Sequence, residues 1–150
     1  MKLALAILAL ALVAGVAYLS LSRVETADSI AIRQLQPMDS GILESWDRVT
    51  DERDLFGISA SKINRANWQW QVFVSVAEFV REDPLESILN RELETALREV
   101  RGVEEVVHED QEVWIIAGDP NGEALVRSAA GVVDKLEPEL RRYFASLETR

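Results

Sequence analysis

The chain has 150 residues, with 16 Lys and Arg against 26 Asp and Glu, a formal net charge of −10. That length suits one domain plus an appendage, and a content of 48% hydrophobic and 28% charged residues excludes global disorder. The acidic balance, with no Lys/Arg cluster, excludes nucleic acid as a partner, and the absence of cysteine excludes disulfides, thiolate metal sites, Cys nucleophiles and a lipid-modified Cys.

Residues 3–21 read LALAILALALVAGVAYLSL, with no charge until Arg23. As a helix this run spans about 28 Å, close to the roughly 30 Å of a hydrocarbon core. It is expected to be a transmembrane helix that anchors the chain through Leu3–Leu21. The competing reading is a signal peptide: Gly15 and Ala17 offer small residues where a signal peptidase inspects, with cleavage before Tyr18. The continuation of the apolar run through Leu19 and Leu21 favours the anchor. Lys2 in a two-residue tail stays inside, which puts the rest of the chain on the extracytoplasmic side, or secretes it if the segment is cut. Ala11 and Gly15 form a small-xxx-small pair of the kind that lets membrane helices approach.

Residues 22–67 read as a stem with a short strand and helices. Ile30, Ile32 and Leu35 partly alternate with polar residues before Pro37. In 41–50, Ile42, Leu43, Trp46 and Val49 share one face at helical spacing. Asp51 to Asp54 and then Gly57 read as a turn, and 59–67 as a second short helix with Ile63 inward.

Residues 68–150 carry the sharper signals. From Trp68, the residues Trp68, Trp70, Val72, Val74 and Val76 alternate with Gln69, Gln71, Phe73, Ser75 and Ala77, a strand of period two. Asp83-Pro84 supplies an N-cap and an N1 proline, with Glu86 placed for a capping box. The helix that follows lines up Leu85, Leu89, Leu93 and Leu97, and Gly102 stops it. Residues 103–109 and 112–117 form two strands joined at Asp110-Gln111. Gly118-Asp119-Pro120 repeats the Asp-Pro device and starts a second helix, with Pro138 inside its stripe predicting a kink or a break.

The order strand, helix, strand, strand, helix predicts an α+β fold in which an N-terminal transmembrane helix precedes a ferredoxin-like two-layer α/β sandwich. Residues 29–36 are placed to supply its closing strand. The stretch ETALREVRGVEEVVHEDQEVWIIAG (94–118) resembles the middle of a heavy-metal-associated domain, where a helix leads through Gly-Val into a hairpin. The resemblance implies that topology and no metal site. Such domains bind metal through a Cys-x-x-Cys loop, and here that loop is Val80-Arg81-Glu82-Asp83.

Motifs for chemistry are sparse. His108 is the single imidazole, beside a hairpin turn and without a matched nucleophile motif. Glu104, Glu105, Glu109, Asp110 and Glu112 crowd that hairpin, but strand alternation divides them between two faces, and no glycine-bearing calcium loop is present. No catalytic residue, metal ligand or cofactor site is therefore expected. The specific signal is apolarity on a second sheet face: Phe73, Ala77 and Phe79 lie opposite the Val row, and Val113 to Ala117 are apolar on both sides. The expected partner surface is Phe73, Phe79, Trp114 and Ile116. Residues 41–67, a second copy or another envelope protein would cover it. These features point to a non-enzymatic, membrane-tethered extracytoplasmic interaction module, an accessory subunit of an envelope assembly. The alternative is an exported domain that binds a small ligand or divalent ion through the acidic hairpin and His108.

Overall fold

The computed structural model describes residues 30–37, 41–51, 54–63, 69–76, 84–109 and 112–148. The chain divides after Ile30 into two units, and of the first only Ile30 is among these residues. Among the described residues the second unit holds six strands and two helices. The strands are β1 (Ile32–Leu35), β2 (Ile42–Arg48), β3 (Phe56–Ile63), β4 (Trp70–Val76), β5 (Val103–Glu109) and β6 (Val113–Gly118). Helix α1 (Pro84–Arg98) lies between β4 and β5, and α2 (Gly122–Glu148) follows β6.

All strands pair antiparallel in one sheet of order β1-β2-β3-β4-β6-β5. The expected fold class is thereby corrected. In place of a five-element ferredoxin-like sandwich, the chain builds a six-stranded antiparallel sheet with two helices. Residues 41–50, expected as a helix, hold strand β2, and β3 takes up the expected turn at Gly57 and the start of the helix expected over 59–67; β1 lies at the far edge beside β2. No helix of the described residues is long and apolar enough to cross a membrane; the expected transmembrane helix falls on residues 3–21, outside them.

The difference has a chemical cause. In β2 the side chains that face the helices are Glu44, Trp46 and Arg48, two of them charged, so the alternation is hidden. Each charge has a local partner. The indole Nε1 of Trp46 donates to Glu44 Oε1 at 2.5 Å, and Arg48 Nη2 lies 2.8 Å from Asp134 Oδ1 on α2. In β3 the inward residues Phe56, Ile58 and Ala60 are buried, while Ser59 and Ser61, weak strand formers, fill the other side.

Both helices cover one face of the sheet. Trp70, Val72 and Val74 of β4, Trp114 and Ile116 of β6, and Val106 of β5 meet Leu89, Leu93 and Leu97 of α1 and Leu125, Ala129 and Val133 of α2, all buried. Small residues in α2 let it approach α1, where Ser128 Oγ donates to the Ala96 carbonyl at 3.0 Å. Helix α2 does not begin at the Asp-Pro pair. Asn121 caps it, its Oδ1 accepting from Ala124 N–H at 3.3 Å, while Asp119 pairs with Lys62 of β3. The helix also runs unbroken through Pro138, which is exposed. Water can therefore solvate the carbonyl that its missing N–H leaves unbonded.

Two glycines have steric reasons. Gly118 sits at φ 110°, where a Cβ would strike the carbonyl of Gly102, itself at φ 92°. Gly122 is buried at the start of α2, and a Cβ there would run into the rings of Trp70 and Trp46. Gly122→Ala is therefore expected to destabilise the fold by about 1–3 kcal/mol through overpacking. Gly131→Ala, where the added methyl meets nothing within 4 Å, should stabilise by about 1 kcal/mol through helix propensity. Urea unfolding of the two variants reads the opposite signs.

Burial lifts the Asp134 carboxyl above its ordinary 3.8, against the pull of Arg48. A carboxyl with a raised folded pKa opposes folding at pH values above that pKa, and the opposition fades as pH falls through it. Acidification through the window just above 3.8 should therefore favour the folded state of the natural chain relative to Asp134→Asn. The difference in their unfolding free energies against pH checks this.

Candidate functional site

The face of the sheet opposite the helices is covered by no described element. Of residues 41–67, one of the expected covers, strands β2 and β3 extend the sheet instead of lying on it. Register aligns the outward side chains into rows that cross all the strands. The first row runs Leu35, Ser45, Ser61, Gln71, Ile115, Val107. The second runs Arg33, Asp47, Ser59, Phe73, Val113, Glu109.

The first row contains no charge, in a chain where 28% of residues are charged. Its serines bond to one another, Ser45 Oγ to Ser61 Oγ at 3.0 Å, so their hydroxyls are partly satisfied without water. In the second row Arg33 holds Asp47 through two bonds, Nε to Oδ1 at 2.8 Å and Nη2 to Oδ2 at 2.9 Å. That carboxylate raises the basicity of the Arg33 guanidinium. Around these polar pairs, Phe73 and Val107 are 38% and 41% exposed, with Val113 and Ile115 half-buried between them. The centre is flat, because serine and glycine stand where β3 would otherwise project bulk.

The two edges of the sheet are blunted. Strand β1 has four residues. Strand β5 carries Glu104, Glu105 and Glu109, and Arg98 Nη2 from α1 donates to its Val106 carbonyl at 3.0 Å. Short strands, charges and a covering side chain all oppose strand addition, which leaves the face as the open surface.

Of the four expected surface residues, Phe73 lies on this face. Phe79 falls outside the described residues. Trp114 and Ile116 are corrected: they point toward the helices, 1% and 0% exposed. Phe73 pairs with Val113 and shares its side of the sheet, so period-two alternation sends Trp114 the opposite way. The sequence reading missed Val113, Ile115, Val107 and Leu35 for want of that register.

His108 stacks on Trp114, ring centroids 4.6 Å apart and planes 12° apart, on the helix-bearing side of β5. Glu105 and Glu109 face the other way. No group of three potential metal ligands comes together among the described residues. A shallow hollow of about 380 Å³ lies at the ends of β3 and β4, lined in part by Thr50, Asp51, Asp54 and Ser75. Asp54 serves its turn, accepting from the Asp51 N–H at 2.8 Å and standing 4.0 Å from Arg48.

The two faces predict opposite sensitivities. Phe73→Thr should change stability by less than about 1 kcal/mol, as a half-exposed strand position does, whereas Trp114→Ala should cost about 3–5 kcal/mol. Thermal or urea unfolding of both variants checks the assignment of faces.

No protein-family model, curated protein or solved structure shows a significant match to this chain.

Proposed function

We propose that this chain is a non-enzymatic interaction module on the extracytoplasmic side of a membrane, an accessory subunit of an envelope assembly. The apolar run Leu3–Leu21 delivers it there, as an anchor or, if cut before Tyr18, as an export signal. Its working surface is the open sheet face around Phe73, Val113, Ile115 and Val107. The observation that carries the reading is the row of six uncharged side chains across the whole sheet. A solvated face of an acidic protein has no need of such a row, and apolar surface left in water favours a partner that removes it.

The experiment is mild crosslinking of the full-length chain in its native membrane, followed by purification through a tag after Arg150. A stoichiometric protein species crosslinked to the natural chain is expected. Phe73→Glu should lower its yield several-fold while the variant keeps its resistance to protease. Equal yields from the two chains would remove the face from the reading.

A further inference from the structure

The open face is chemically self-complementary, and we propose that its occupant is a second copy of this chain, packed sheet on sheet about a two-fold axis. This inference rests on the interaction-surface reading above and narrows it to one partner. From β1 to β5 the first row is Leu35, Ser45, Ser61, Gln71, Ile115, Val107: apolar at both ends and polar in the middle. The second begins with Arg33, whose side chain is 60% exposed, and ends with exposed Glu109.

A two-fold axis along the strands, between β3 and β4, lays β1 of one copy over β5 of the other. Leu35 then meets Val107 at both ends of the first row. Arg33 meets Glu109 at both ends of the second, through guanidinium N–H groups beyond the two bonded to Asp47. The Phe73 ring, the largest side chain of either row, lies over Ser59, one of the smallest. Asp47 lies over Val113 and keeps its bidentate bond to Arg33. An axis across the strands would instead stack β5 on β5: through the first row it sets Glu109 against Glu105, a like-charge contact, and between the rows it sets Glu109 on Val107 and Arg33 on Leu35, leaving both charges without an opposite partner across the interface. Aligned strands are also the ordinary geometry for two packed sheets.

The area suits this partner. Five strand spacings of about 4.8 Å by roughly 20 Å of strand give on the order of 500 Å² per copy, so two copies bury about 1,000 Å², near the lower bound for a specific interface. Such a dimer is weak in free solution and gains from chains held at high local concentration on one membrane.

The chain's lack of cysteine allows a clean test on the full-length protein in its native membrane. Ser61→Cys lies near the proposed axis, and Thr95→Cys, exposed on α1, is the control. A bismaleimide of roughly 10 Å reach, matching the spacing of packed sheets, should give a crosslinked dimer from Ser61→Cys and none from Thr95→Cys. In the Ser61→Cys background, Arg33→Glu or Glu109→Arg alone should each cut that dimer about tenfold, and the two together should restore it; protease resistance reports that each variant is folded. Absence of the dimer, or a dimer indifferent to both charge reversals, overturns the proposal. If no dimer forms, maleimide labelling of Ser61→Cys that is slower in the membrane than in the purified, detergent-solubilised chain means that a different protein covers the face, so only the second copy is lost. Equal labelling rates in the membrane and in the purified chain remove the interaction surface as well.

Discussion

Helix α2 reaches the sheet through one contact that tolerates almost no variation, the seat of Gly122 between Trp46 and Trp70. Because a hydrogen stands where a methyl would clash, the helix starts flush against two indoles and then runs across β2 and β3. Its position brings Asp134 to Arg48, and the Asp119 turn that precedes it brings Asp119 to Lys62, whose Nζ lies 5.8 Å from the Trp70 ring centroid. These polar contacts follow from the apolar seat and do not create it. Arg48 and Lys62 are 13% and 12% exposed, so desolvation offsets much of what their ion pairs gain, whereas the buried Trp70 contributes several kcal/mol, about the order typical for a large core side chain.

That seat divides the molecule chemically. With α1 and α2 on one side, every strand must send alternate residues inward, and the inward set collects Phe56, Ile58, Val72, Val74, Trp114 and Ile116. The outward set is left to serve another purpose. Serine and glycine keep β3 low, phenylalanine and valine stand up on β4 and β6, and the charges of the two rows are Glu109 on β5 and the bonded pair of Arg33 on β1 with Asp47 on β2. An acidic chain thus carries an almost neutral plane, and the acids that keep it soluble are moved to the edge and the helices.

Some of this was legible in the residues. The alternation from Trp70 to Val76, the helix beginning at Pro84 and the hairpin of β5 and β6 all carry strong local signals, because periodicity and turn chemistry agree there. The stem did not. Strand β2 turns Glu44 and Arg48 toward the helices, which hides its alternation, while β3 does alternate Phe56, Ile58 and Ala60 with Gly57, Ser59 and Ser61, but its glycine and serines are turn-forming residues that mask the period. The partners that make those residues acceptable, Trp46 Nε1 and Asp134, were invisible until the strands and α2 were brought together. The same holds for the surface. Phe73 was found from its own strand, but the neighbours that complete its face depend on the register with β6, and one residue of slip exchanges Ile115 for Trp114 or Ile116.

The strand order has a kinetic consequence. Strands β4 and β5 run parallel, joined through α1, yet β6 lies between them. A direct pairing of β4 with β5 would satisfy the local connection and occupy the place that β6 must take, so it is a trap that has to be undone. A route that forms the short-range β5–β6 hairpin before docking it as a unit against β4 avoids that trap. The slow step is then assembly of the distant β4–β6 ladder, as expected when non-local pairing controls the rate, and substitutions that weaken the hairpin should slow folding more than they speed unfolding.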